Sequence, residues 1–250
     1  MSQRSTRRGL HRDAVEVLGR SIVSGELPTG SVLPNEADLG AELGVSRTVV
    51  REAVKVLAAK GLIVTRPRTG SRVQPRSRWD VIDHDVLDWI IATGPTRGFY
   101  ADLFEVRAVL EPQAAELAAV RRTAGEAEHI AELYERMAAT TSDREAYIGA
   151  DLAFHASVLA ASHNELLMRL SSTLAVALQA GREVTTRVEA GPHSSLPLHL
   201  AVMEAIVSAQ PHAACEAMQA LISYATRDME TVLASDEPGR ADTSAAAGRA

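Results

Sequence analysis

Cysteine is almost absent: Cys215 stands alone among 250 residues. An intrachain disulfide is therefore excluded, and the composition suits a reducing, cytoplasmic setting. Cys215 lies in an alanine-rich stretch of helical pattern, where a buried small hydrophobe is the expected role and a reactive thiol the alternative. Long apolar runs are missing too. No segment approaches the ~20 uninterrupted apolar residues needed to cross a bilayer. The N-terminal stretch MSQRSTRRGLHRDAVEV is basic but lacks the apolar core of a signal peptide. Neither membrane insertion nor secretion is expected. Lysine is scarce, Lys55 and Lys60 being the only two, so positive charge is carried almost wholly by arginine.

That charge is unevenly divided. Residues 1–78 hold 14 Lys and Arg against 7 Asp and Glu, a net of +7, whereas residues 79–250 hold 12 against 25, a net of −13. A basic head on an acidic body points to a polyanion-binding N-terminal segment, with an ordinary solvated basic surface as the alternative on charge alone. The length itself suggests two domains at ~100–200 residues each.

The fold class expected is mainly α, an N-terminal winged helix-turn-helix followed by an all-helical bundle. Residues 1–10 are read as disordered. Residues 11–75 form the head, beginning with a helix whose apolar positions Ala14, Val15, Leu18, Ile22 and Val23 recur at helical spacing. Asn35 and Ser46 are suited to cap two further helices, and Gly44 and Gly61 to stop them. Leu62 to Thr65 and Ser71 to Val73, joined by a turn at Pro67 to Gly70, read as a hairpin. Residues 76–80 are a linker. Residues 81–234 read as helices over about 81–92, 99–122, 126–139, 143–162, 164–188, 196–209 and 211–234, with a break around Gly191, Pro192 and Pro197. Residues 235–250 have the composition of a disordered tail.

Two short helices around a glycine turn make a helix-turn-helix. On the second, Val49, Val50, Ala53, Val54 and Leu57 can pack inward while Ser46, Arg47, Thr48, Arg51 and Lys55 point outward. N-terminal residues of such a helix reach base edges, an arginine there can bind guanine O6 and N7 in a fork, and the Ser46 and Thr48 hydroxyls suit phosphate oxygens. The hairpin carries Arg66, Arg68 and Arg72, as a wing along the DNA backbone would.

The stretches Leu33-Pro34-Asn35-Glu36-Ala37-Asp38-Leu39, Leu43-Gly44-Val45-Ser46-Arg47-Thr48-Val49-Val50-Arg51-Glu52-Ala53 and Leu57-Ala58-Ala59-Lys60-Gly61-Leu62-Ile63 resemble the winged helix-turn-helix of the GntR family of bacterial repressors. The resemblance implies DNA contacts from Arg47 and Arg51, support from Ser46 and Thr48, and a wing tip at Arg68, Thr69 and Gly70. Many members carry arginine where this chain has Ala37, so one base contact of those relatives is not expected here.

In the helical domain Asp151 and His155 share one helix face at i, i+4 spacing, a workable half of a metal site, and His199 is the best third ligand from another helix. On spacing alone, a structural or surface histidine is the commoner reading. Arg107, on a helix whose other face is apolar, suits a carboxylate through a forked pair, with a salt bridge to Glu111 as the alternative. Arg182 is a second anion contact, and Asn164 either contacts the effector or caps its helix. Glu105 to Pro112, Asp151 to His155, Asn164, and His199 with Ala205-Ile206 are similar to the FCD domain, the effector domain of the FadR-type GntR subfamily. That resemblance implies a divalent metal, zinc first, on one Asp and three His. Asp151, His155 and His199 match, but the fourth position is Leu221. The alternative is a pocket whose polar residues bind the effector directly.

Trp79-Asp80 leading into Asp85-Val86-Leu87-Asp88-Trp89-Ile90, together with Ala37 and Leu221, resembles subfamily members that respond to sugar acids, implying galactonate or a related small carboxylate as effector. The resemblance also implies a homodimer on double-stranded operator DNA, with repression expected and activation the variant. A metal-dependent enzyme with a DNA-binding head and a sequence-tolerant architectural binder are the competing classes. No paired general base is evident, so no catalytic residues are expected.

Overall fold

The computed structural model describes the backbone of residues 2–66, 69–187 and 191–235, and their side chains apart from those of 2–8 and 191–193. Two compact units divide the chain between Pro95 and Thr96. Among the described residues no helix is long and apolar enough to cross a membrane.

The first unit holds α1 (Ser2–Val23), α2 (Glu36–Glu42), α3 (Arg47–Ala59), β1 (Ile63–Arg66), β2 (Gly70–Val73) and α4 (His84–Ala92). The α2 start is fixed by Asn35, whose side chain accepts from the Ala37 and Asp38 amides, and the α3 start by Ser46, which accepts from the Val49 amide. Between them Gly44 takes φ 66°, a left-handed conformation that lets α2 end within one residue. Val50, Ala53 and Leu57 turn the apolar side of α3 inward, and α1 packs on it through Ala14, Leu18 and Ile22. The hairpin is antiparallel, pairing Ile63 with Val73 and Arg66 with Gly70.

Three features of this unit differ from the sequence reading. Helix α1 begins at Ser2, although residues 1–10 were expected to be disordered; no proline precedes Pro28, so nothing stops the helix pattern from extending backwards. The linker contains a 3-10 turn at Arg76–Arg78. Helix α4, expected to open the effector domain, packs instead on α1: the Trp89 indole N–H donates to Glu16 at 2.9 Å, and Gly19 leaves the space for its ring. An amphipathic stripe shows that a helix packs, but not against what. The linker and the start of α4 are also clasped to the end of the recognition helix. Lys60 reaches Asp83 at 2.6 Å and Asp85 at 2.7 Å, and Gly61, at φ 76°, sits directly beneath the Arg78 carbonyl.

The second unit is a bundle of α5 (Arg97–Arg121), α6 (Ala124–Ala139), α7 (Arg144–Ala161), α8 (Glu165–Thr185), α9 (Gly191–Val207) and α10 (Pro211–Ser235). Its core gathers Ile130, Met137, Phe154, Ile206, Met218 and Leu221. Helix α10 packs on α5 and α9, and α7 on α5, α6 and α8. Pro112 lies inside an unbroken α5. Helix α9 runs through Pro197, where a break was expected; the lost N–H and ring clash, about 3 kcal/mol, are outweighed by burial of the apolar side chains of Val202, Ala205 and Ile206 further along. Cys215 is a buried free thiol in α10, as expected. The expected tail, beyond Ser235, lies outside the described residues.

Candidate metal centre and nucleic-acid interface

Helices α5, α7, α8 and α9 bring six ionisable side chains into the interior of the bundle. Arg107, Glu111, Asp151, His155, Arg182 and His199 are each 5 % exposed or less. Such groups leave water only if they pair. Glu111 accepts from Arg107 Nε at 2.6 Å and lies 2.6 Å from His155 Nδ1. Asp151 contacts Arg182 Nε through Oδ2, and its Oδ1 lies 3.1 Å from His199 Nε2 and 3.9 Å from His155 Nε2. Burial works to raise both carboxyl groups. Arg107 and His155 at Glu111, and Arg182 and His155 at Asp151, override it and hold both far below the usual carboxylate range. Burial also pushes His155 down to about 4, so its imidazole is neutral.

Both ring nitrogens of His155 and the Nε2 of His199 are buried without a hydrogen-bond partner. His199 Nδ1 lies 2.9 Å from the Ser195 carbonyl, which can only accept, so Nδ1 carries the proton and Nε2 a lone pair. That lone pair faces a carboxylate oxygen, and neither His199 Nε2 nor His155 Nε2 has a hydrogen-bond partner. One ligand atom from each of Asp151, His155 and His199 lies within 4.8 Å of the others. Two imidazole nitrogens and an ionised carboxylate converging in this way fit a divalent cation. Leu221, buried beside Asp151, His199 and Tyr147, supplies no fourth ligand. A cation held there keeps a position open for water or ligand oxygen.

A cavity of about 490 Å³ between α7 and α8 reaches Glu111, His155 and Arg182 and is otherwise lined mostly by apolar and small side chains, including Leu152, Leu159, Val176 and Leu178. Its size and lining are those of small-molecule sites. Arg107 Nη2 is buried without a hydrogen-bond partner. Arg107 therefore makes the salt bridge to Glu111 and still has a donor to offer. Arg182, read from sequence as a second anion contact, is central because it neutralises Asp151. Asn164 stands apart: its side chain accepts from the Leu166 and Leu167 amides and caps α8. Glu111 entered the sequence reading only as a partner for Arg107; its contact with His155, one helix over, has no local signature.

On the head, Ser46, Arg47, Thr48 and Arg51 are exposed on one side of α3, and Thr69 and Gly70 are exposed at the wing. Gly70 takes φ 78°. Arg68 lies outside the described residues. Arg51 forms a fork with Glu36 of α2, Nε to Oε1 at 2.9 Å and Nη2 to Oε2 at 2.6 Å.

A winged helix-turn-helix joined to a helical domain with a buried polar cluster defines a ligand-responsive regulator of transcription. Residues 10–73 match the gntR family of bacterial regulatory proteins and residues 102–224 the FCD domain. The uncharacterized HTH-type transcriptional regulator YieP of Escherichia coli K12 is 36% identical over 222 residues, covering 88% of this chain and 95% of the relative. The galactonate operon transcriptional repressor of the same strain is 35% identical over 222 residues, covering 87% and 96%. The Glc operon transcriptional activator of that strain is 37% identical over 167 residues, covering 65% and 64%. Among solved structures, Streptococcus agalactiae GntR aligns with a TM-score of 0.50 at 26% identity, covering 87% of this chain and 99% of that one. The protein belongs to the GntR family, in its FadR-like branch with an FCD effector domain. Such regulators bind operator DNA and small-molecule effectors, and FCD domains often bind metal.

Proposed function

We propose that this protein represses a sugar-acid catabolic operon and leaves its operator when galactonate or a related small carboxylate enters the α7–α8 cavity. The observation that carries this reading is the buried polar cluster, of which Glu111, His155 and Arg182 line a ligand-sized cavity. Asp151, His155 and His199 would hold a divalent ion, zinc first, which when bound supplies a coordination position for an effector oxygen. Arg107 and Arg182 present donors to a carboxylate, and Glu111 keeps the His155 Nδ1 proton away from the ligand side. The 35% identity to a galactonate operon repressor over most of both chains supports the choice of effector.

On DNA, a homodimer presents two α3 helices to a palindromic site, Arg47 and Arg51 reading bases, Ser46 and Thr48 holding phosphates, and Thr69 and Gly70 approaching the backbone from the wing. Release requires the effector to bind the DNA-incompetent arrangement more tightly than the competent one. The test is operator binding by the purified chain on promoter DNA flanking its own gene, titrated with a panel of sugar acids with and without prior chelation. Release by one sugar acid supports the reading. Specific binding with no release by any of them overturns the effector assignment. An operon reporter gives the sign of regulation, since one relative is an activator.

A further inference from the structure

The fork between Arg51 and Glu36 joins the two helices of the helix-turn-helix on their outer side. Both side chains are exposed, at 60% and 39%, so the pair contributes little to stability. Its geometry has another consequence. A guanidinium carries five N–H groups in a fixed plane. Glu36 takes the Nε–H and one N–H of Nη2. The other Nη2 N–H and both Nη1 N–H groups remain, and one from each nitrogen forms the distal edge of the plane. That edge offers two parallel donors, the pattern that guanine O6 and N7 accept in the major groove. The ion pair therefore leaves the reading edge whole while removing the freedom of the plane to rotate about the arginine stem. The Arg47 charge also acts on Glu36.

We propose that Glu36 is a specificity-determining positioning residue: it fixes the guanidinium plane of Arg51 so that its distal edge reads one guanine per half-site, and its negative charge weakens binding to DNA that lacks that guanine. This rests on the reading of Arg51 as a base contact. On the wrong sequence, Arg51 cannot swing to a phosphate without breaking the fork, and the Glu36 charge has no base contact to offset its repulsion from the phosphates. On the right one, the preset arginine binds without first losing side-chain freedom.

The test is selection of binding sites from random-sequence duplexes by the full-length chain, by Arg51→Ala and by Glu36→Gln, with affinity for a fixed random duplex measured in parallel. Glutamine keeps the shape and helix propensity of Glu36 but offers only one acceptor oxygen beside an amide that repels the guanidinium. The expected result is a guanine preference in the wild type that Glu36→Gln lowers about tenfold at the same position as Arg51→Ala. Other positions stay unchanged, and Glu36→Gln binds random duplex at least as tightly as the wild type. An unchanged preference in Glu36→Gln alongside a lost one in Arg51→Ala would overturn the positioning role and keep Arg51 as a reader. An unchanged preference in Arg51→Ala would overturn the base-reading assignment and this proposal with it. Loss of random-duplex binding or a uniform loss across all positions in Glu36→Gln would make Glu36 a structural residue and overturn the proposal.

Discussion

Glu111 Oε2 lies 2.6 Å from His155 Nδ1, while its other oxygen, Oε1, accepts from Arg107 at 2.6 Å. One carboxylate thus neutralises a buried arginine and sets the orientation of a candidate metal ligand. Replacing Glu111 by Gln is expected to weaken zinc binding by about 10–100-fold, the usual consequence of losing a partner behind a histidine ligand. Titration calorimetry with zinc measures this; unchanged affinity would limit Glu111 to its pair with Arg107. Glu111→Ala goes further, leaving Arg107 buried without its counter-charge, and is expected to cost about 3–5 kcal/mol in urea denaturation.

His155→Ala is expected to abolish release by the effector and to leave operator affinity of the free protein within a few-fold of wild type. Gel shifts with and without sugar acid read both quantities at once. Zinc at a hundredfold excess over its Kd should add about 2.7 kcal/mol to the wild type and much less to this variant; retained induction would remove His155 from the site.

A Cβ at Gly19 would sit 2.4 Å from the Trp89 ring. Gly19→Ala is expected to displace Trp89, break its bond to Glu16 and destabilise the head by about 1–3 kcal/mol. In a Trp79→Phe background Trp89 is the sole tryptophan, so a red-shifted emission reports its exposure. Emission like the parent's would mean that α1 and α4 separate without strain.

The N-terminus of α6 has a capping box in which Thr123 and Glu126 bond to each other's backbone amides. The Thr123 amide first, and His163 next, hold the Glu126 carboxyl at about 2. A depressed carboxyl contributes stability above its ordinary pKa and loses it as pH falls through the folded value. The gap in urea midpoint between wild type and Glu126→Gln should therefore be full above about pH 5 and close as pH falls toward 2. A gap independent of pH would show that the carboxylate charge is not what caps the helix.

The head was legible because its signals are local. Asn35, Gly44, Ser46 and Gly61 punctuate the chain wherever a helix starts or stops, and the spacing of Val50, Ala53 and Leu57 fixes which side of α3 faces outward. The Asp151, His155 and His199 trio was legible too, from i, i+4 spacing and family likeness together. What escaped depends on helices crossing. Arg182 meets Asp151, Glu111 meets His155, and Glu36 meets Arg51 across 31, 44 and 15 positions of sequence, and no pattern on a single helix announces such meetings. Pro197 misled for the opposite reason: its local signal is strong, and tertiary packing overrode it.

The clasp of Lys60 on Asp83 and Asp85 bears on how such proteins can be cut and rejoined. Judged by sequence, the natural seam is the linker at 76–80, and a chimera made there would carry away α4. Such a graft would strip Trp89 from its seat beside Gly19 and leave Lys60, 12% exposed in the intact chain, without either carboxylate. A portable DNA-reading cassette therefore runs through Ala92 to the Gly94-Pro95 junction, and shuffling of heads among sensor domains, in the laboratory or in evolution, would favour recombination there.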